Sequence, residues 1–447
     1  MTLLLNDAPA PKRSPIDEWS PETEAFWRSY GSRLAWTTLS VTTFCLILAF
    51  ATWFMVSAIV VKLTGLGFHL TKQQIFWLAS MPGLAGGTLR IVHMFLIPIF
   101  GTRKTIAVST ILLILPCIGW AWVVRHPETP FSILMGLALL AGLGGGNFSS
   151  FMPSTSMFFP KRLQGTALGI QAGVGNFGVS VGQFIIPVII TIPVLGHAQT
   201  FTHGDVRNQV YMQNAALIWL PFVILGAAAA YLFLRSVPVR ASIREQSDIF
   251  KEKHTWLMTS LYLMTFGTFS GFAAAFPLLI DRLFGRFDGA PDPLRYAFLG
   301  PLVGAAVRVV SGPLSDRFGG ARLTALSGIG MTACALGASA YTAPTSVDQF
   351  TGFLWCMLGI FLFSGIGNAS TFKQMPMIFP PRQAAGVIGW TSAVAAYGPF
   401  IVNAALGAVI AATGTAAPFF LGAAVFYAIN IGINWFFYCR KGCVTTC

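Results

Sequence analysis

The sequence predicts an all-α integral membrane protein, with twelve transmembrane helices in two pseudo-symmetric six-helix bundles. Three observations lead there. Only 10% of the 447 residues are charged and 55% are hydrophobic, with a mean hydropathy of +0.69, whereas a soluble domain carries about 25% charged residues. Apolar runs near the roughly 20 residues that a helix needs to cross hydrocarbon recur along the whole chain. The second half also repeats motifs of the first.

The elements follow in order. Residues 1–34 form a polar, proline-containing cytoplasmic segment without the apolar core of a cleavable signal peptide. Within it, "SPETEAFW" offers Ser20 as an N-cap, Pro21 at the first helical position and Glu22 and Glu24 in the first turn. That predicts a short amphipathic helix on the inner membrane face, held there by Trp19, Phe26 and Trp27. The N-terminal bundle, 35–235, contains apolar runs at 36–61, 73–100, 105–124, 131–158, 165–193 and 213–234. A charged linker, 236–254, leads to the C-terminal bundle, 255–438, with runs at 255–280, 296–314, 323–341, 350–379, 384–412 and 417–438. The runs are rich in Gly and Ala, which let helices approach closely where lipid provides no hydrophobic drive between them. Cys45, Cys117, Cys334 and Cys356 fall inside runs and read as inert packing. Cys439, Cys443 and Cys447 cluster in the tail 439–447 as reduced thiols, with metal binding or palmitoylation as alternatives.

The net charge of +13 would suit nucleic acid, but its distribution suits a membrane. With the N-terminus in the cytoplasm, the inner side receives Lys12, Arg13, Arg28, Arg33, Arg103, Lys104, Lys161, Arg162, Arg235, Arg240, Arg244, Lys251, Lys253, Arg317, Arg322, Arg382, Arg440 and Lys441. The outer side keeps Lys62, Lys72, Arg125, Arg207, Arg282, Arg286 and Arg295. This is the positive-inside asymmetry of an even number of spans, with both termini cytoplasmic.

Arg90 is preceded by Gly86 and followed by "FGTRK" (100–104); Arg308 is preceded by Gly304 and followed by "FGGAR" (318–322). "GGGNFSSF" (144–151) returns as "GIGNASTF" (365–372), and "PKRLQG" (160–165) as "PRQAAG" (381–386). Such a repeat is the plan of a secondary transporter, whose site lies at the midplane between two halves that rock to alternate access. "GPLSDRFGGAR" (312–322) resembles the signature loop of the major facilitator superfamily, which implies that fold. The first-half copy departs from it, with Ile97 and Pro98 where the second has Ser315 and Asp316.

Arg90, Arg308 and Lys373 lie within spans, while every Asp and Glu lies in a loop, a tail or a span end. Inserting one such cation at mid-bilayer costs roughly 2.5–3.5 kcal/mol, and buried charges need partners. The missing counter-charge is a bound anion. Two like charges repel across a low-dielectric site, and an anion between them draws the halves together. The empty carrier resists passage, which predicts obligatory exchange unless another charge change intervenes. Lys373, near a span end, either snorkels to headgroups or acts on the site. His93, one turn after Arg90, is either a neutral hydrogen-bonded residue or a proton carrier. Gly173, Gly175 and Gly178 of "AGVGNFG" (172–178) thin the fifth helix beside Asn176, and Gly365 and Gly367 do the same in the tenth. Phe148, Tyr262 and Phe266 offer flat faces and one hydroxyl. A weakly hydrated planar monoanion fits such faces with a guanidinium fork at each edge.

At these residues the chain resembles the NarK-type nitrate/nitrite porters, from "DEWSPETEAFW" (17–27) to the last span. "AGVGNFGVSVGQFIIP" (172–187) is similar to that family's nitrate signature, and "AAYGPFIVNAALG" (395–407) is a looser counterpart. The resemblance implies that Arg90 and Arg308 clamp the anion, that Phe148 and Phe266 lie against it, and that Asn176 and Tyr262 hydrogen-bond it. Lys373 replaces a neutral polar residue in the matching stretch. A desolvated lysine titrates readily, so the expectation leans to nitrate/proton symport, with nitrate/nitrite antiport, carriage of another small anion and a non-transporting anion sensor as alternatives. The expected partners are nitrate or nitrite, lipid and protons, acting on a monomer. No nucleic acid, cofactor, metal or catalytic residue is expected, since no metal cluster, Ser-His-Asp set or phosphate loop appears.

Overall fold

The computed structural model describes Ile16 and residues 18–203, 206–237 and 245–443. Twelve helices of spanning length follow one another: α1 (Glu24–Val60), α2 (Lys72–Ile97), α3 (Ile99–Val123), α4 (Phe131–Thr155), α5 (Thr166–Ile189), α6 (Asn214–Phe233), α7 (Lys253–Phe284), α8 (Pro293–Ser315), α9 (Gly320–Ser339), α10 (Gln349–Ile378), α11 (Gly386–Thr413) and α12 (Ala417–Cys439). Eleven are apolar enough to mark themselves as spans. Glycines and Arg322 dilute α9, whose place is set by packing against α10 and α12. Helices α1 and α7 are innermost, with 89% and 94% of their most apolar windows buried, against 33% for α6 and 28% for α12.

The repeated Phe-Gly pairs have a structural cause. Gly101 (φ 74°) and Gly319 (φ 91°) turn the chain sharply between α2 and α3 and between α8 and α9. An L side chain would be strained at both. The other predicted glycines bring backbones together. A Cβ on Gly178 would strike the Ile47 carbonyl, and one on Gly365 would strike the Gly304 carbonyl. Added at Gly175 it would meet Leu46, at Gly173 Val309 of the opposite bundle, and at Gly367 Thr265 and Ser327. Gly178→Val is therefore expected to force α1 and α5 apart and lower stability by about 1–3 kcal/mol. A fall in the unfolding temperature of the purified protein checks this; an unchanged value would contradict it.

Three features differ from expectation. Residues 1–15 and 17 lie outside the described residues, and the helix begins at Glu24 after Thr23 rather than at Ser20. It runs through a π-helical turn, Trp27–Gly31, directly into the first span, giving one helix of 37 residues. Its aromatic residues pack on protein: the Trp19 indole N–H donates to the Met157 carbonyl at 3.0 Å, and its ring lies 5.1 Å from Phe158. Trp27 lies 5.8 Å from Phe159. The Met157 carbonyl and the Phe158 and Phe159 rings, just beyond the end of α4, offer these side chains both a hydrogen-bond acceptor and apolar contact. The chain is also not wholly helical. Gln199–His203 (β1) and Val206–Val210 (β2) pair antiparallel between α5 and α6. Phe201 of β1 covers Gly65 and lies under the Lys62 ammonium, 5.0 Å from it. Lys62 in turn pairs with Asp292 at 3.3 Å, joining the two bundles on the side away from the termini. Finally, of the tail cluster, Cys447 lies outside the described residues.

Candidate anion-binding site

The seam between the bundles holds a row of rings. Phe50 on α1 stacks on Phe148 (6.0 Å between centroids, 9° between planes), Phe148 faces Phe266 at 6.4 Å, and Phe266 stacks on Tyr262 (5.4 Å, 5°). Phe148 stands where α4 is interrupted at Asn147, and Phe266 stands on a π-helical turn of α7, Leu263–Gly267. Irregular backbone of this kind in a membrane bundle is tolerated where it is buried in protein or lines a cavity, and single π turns gather at functional sites.

Arg90 and Arg308 lie against this row. The Arg90 guanidinium carbon is 4.6 Å from the centroid of Phe148, 5.3 Å from Phe266 and 5.6 Å from Trp53. That of Arg308 is 6.0 Å from Phe266 and 5.2 Å from Phe372. Arg90 has no exposure, and Arg308 has 5%. Arg90 is held from both bundles: Nε donates to the Gly145 carbonyl at 2.8 Å and Nη1 to the Ser392 carbonyl of α11 at 2.7 Å. Arg308 Nη2 reaches the Tyr262 hydroxyl at a long 3.5 Å. That leaves Arg90 Nη2 and Arg308 Nη1, both buried and both without a partner. Among the described residues no carboxylate pairs with either guanidinium. The ring faces compensate in part, since a desolvated cation–π contact contributes about 2 kcal/mol. They cannot accept the remaining N–H groups in line, as an anion can.

Asn176 is fully buried on α5, and neither its Nδ2 nor its Oδ1 has a partner. An amide so buried costs free energy unless something hydrogen-bonds it. Tyr262 is fully buried with its hydroxyl at Arg308.

Two predicted residues stand apart from this group. His93 is buried one turn beyond Arg90, but its Nδ1 engages the Ser150 hydroxyl at 2.9 Å. Lys373 is exposed on α10. Its neighbour Phe372 faces Tyr262 (4.8 Å) and Arg308, and one residue turns a helix by about 100°, so the two side chains leave α10 in different directions. Other members of the site escaped sequence reading. Trp53 and Phe372 carry no signal in the sequence that sets them apart from the other aromatic residues of the spans. Ser392 supplies the Arg90 contact and keeps a buried hydroxyl without a partner; its signal was its place in the repeat, where "PRQAAG" sets it opposite Gln171. Asn368, buried with both amide atoms without partners, matches Asn147 in the same way.

The Major Facilitator Superfamily pattern matches residues 42–377, three quarters of the chain. The chain belongs to the major facilitator superfamily. Within it, the chain is a NarK-type porter. It is 58% identical over 437 residues to the probable nitrate/nitrite antiporter NarK2 of Thermus thermophilus, covering 97% of this chain and 98% of that protein. It is 36% identical to the nitrate/nitrite transporter NarU of Escherichia coli strain K12, covering 95% and 96% of the two. It is 29% identical to the nitrite extrusion protein of Bacillus subtilis strain 168, covering 84% and 88%. The porter is a multi-pass membrane transporter and not an enzyme, and its twelve helices fit the superfamily's fold.

Proposed function

We propose that this porter carries nitrate and nitrite across the bacterial inner membrane by alternating access, as a monomer with both termini cytoplasmic. The anion sits between Arg90 and Arg308, with Phe148 and Phe266 against its faces and Asn176 and Tyr262 donating hydrogen bonds. One observation carries the reading: each of two buried guanidiniums keeps an unpartnered Nη at a seam where, among the described residues, no carboxylate pairs with it. A planar monoanion accepts from both forks in one plane and slides between aromatic rings. A tetrahedral dianion would leave its out-of-plane oxygens against ring faces, which accept rather than donate. The names carried by the NarK2 and NarU relatives agree with this cargo.

The coupling mode that the geometry favours is exchange. After release the site keeps two like charges. With His93 engaged by Ser150 and Lys373 exposed on α10, something else must relieve them. A second anion on the return leg does so. In proteoliposomes, labelled nitrate is expected to enter only against internal nitrite or nitrate, whatever the pH gradient. Uptake into anion-free vesicles driven by a pH gradient would replace exchange with nitrate/proton symport and return Lys373 and His93 to the mechanism. Competition by phosphate or carboxylates would move the cargo to another anion, and binding without any flux would make the protein a sensor.

A further inference from the structure

Glu245–Lys251, at the end of the connection between the bundles, forms a 3-10 turn that lies on the first part of α11. Gln383 Nε2 donates to Asp248 Oδ2 at 3.0 Å. Ile249, 1% exposed, packs on Gly386. The Phe250 ring meets Trp390 edge-on at 4.8 Å and 88°. Trp256 completes the group, 5.9 Å from Trp390, with its indole N–H donating to the Phe250 carbonyl at 3.1 Å.

Helix α11 is not continuous. Together with the turn that leads into it, it is helical over Pro381–Ala395, interrupted at Ala396 and Tyr397, and helical again over Gly398–Thr413. Beyond the break it is wedged: Gly398 packs on the Gly267 carbonyl of α7, and Pro399 and Phe400 pack on Gly83 of α2. The first part is thus a 15-residue rod with a two-residue break at one end and the connection gripping it towards the other. Ser392, whose carbonyl takes Arg90 Nη1, stands on that rod two residues from Trp390. Two of the three guanidinium nitrogens of Arg90 are tied, one to each bundle. The direction of the third follows from where those two acceptors lie.

We propose that Phe250 is a positioning residue for the anion site. Its grip on Trp390 sets the place of the first part of α11, hence of the Ser392 carbonyl, hence of the free Nη2 of Arg90. The connection between the bundles is on this account a working part of the carrier as well as a tether. The proposal rests on the reading of Arg90 as an anion ligand.

The test uses the full chain in proteoliposomes, with nitrate exchange measured over a range of nitrate concentrations. Phe250→Ala is expected to raise KM about three- to tenfold while maximal exchange per reconstituted molecule stays near the unsubstituted value; Phe250→Tyr, which keeps the ring, restores KM. Asp248→Ala, which frees Gln383, moves KM the same way and gives the answer if Phe250→Ala does not assemble. A purely structural role would lower the yield or the unfolding temperature and leave KM alone, and that result overturns the proposal. Arg90→Lys runs in parallel. If it exchanges nitrate normally, the anion-site reading itself has failed; if it is inactive while Phe250→Ala and Asp248→Ala keep the original KM, only the positioning role has.

Discussion

Arg90→Lys is expected to lower kcat/KM for nitrate by more than about 100-fold, with the protein still assembling in the membrane. The loss follows from counting donors. Arg90 ties Nε to Gly145 and Nη1 to Ser392 and still has Nη2 to offer. Lysine brings one nitrogen on a flexible stem and cannot hold both tethers and present an in-plane donor. Hydrogen bonds to a charged group contribute about 1.5–3 kcal/mol each, and every 1.4 kcal/mol is about tenfold. The positive charge survives the substitution, so a mechanism needing only charge would survive as well. Arg308→Lys should behave in the same way, since Nη1 is its free donor and Nη2 its contact to Tyr262. Nitrate uptake normalised to reconstituted protein is the measurement. Near-normal uptake in both variants would end the clamp.

Asn176→Leu is expected to separate binding from stability. The amide is buried with neither end satisfied, so in the ligand-free protein it is a cost. Replacing such a group by an apolar one of similar size is nearly neutral or stabilising. If its partner is the anion, the same change removes a hydrogen bond to a charged ligand and weakens nitrate binding about 10- to 100-fold. The unfolding temperature without ligand should therefore hold or rise while its increase on adding nitrate disappears. A lower unfolding temperature with nitrate binding intact would return Asn176 to the fold.

Much of this was legible beforehand because membranes impose simple rules. A permanent charge in an apolar run has no innocuous explanation deep in hydrocarbon, so Arg90 and Arg308 announced themselves, and the duplicated Gly-Arg-Phe-Gly pattern tied them to corresponding places in two bundles. The small-residue run around Asn176 announced a close approach of helices; a Cβ at Gly178 or Gly175 would meet Ile47 or Leu46. The leader was legible as a helix but misjudged in its partner: Trp19 and Trp27 look equally suited to lipid and to the end of α4, and only the acceptor at Met157 decides between them. The hairpin at β1 and β2 gave no signal strong enough against an all-helical background. Lys373 was legible as lying near a span end, with snorkelling and a part in the site both open, because depth in a span is readable from letters, whereas direction around the helix is not.

Composition and repetition alone therefore determined the class of this protein, its two bundles and the pair of arginines at their seam, because solvation in lipid acts on each residue type by itself. Which nitrogens stay free, which rings lie beneath them, and that Ser392 of the opposite bundle holds Arg90 depended on the packing of α2, α4, α7, α10 and α11 against one another. Those are relations between residues far apart in the chain, and hydrocarbon imposes no rule on them.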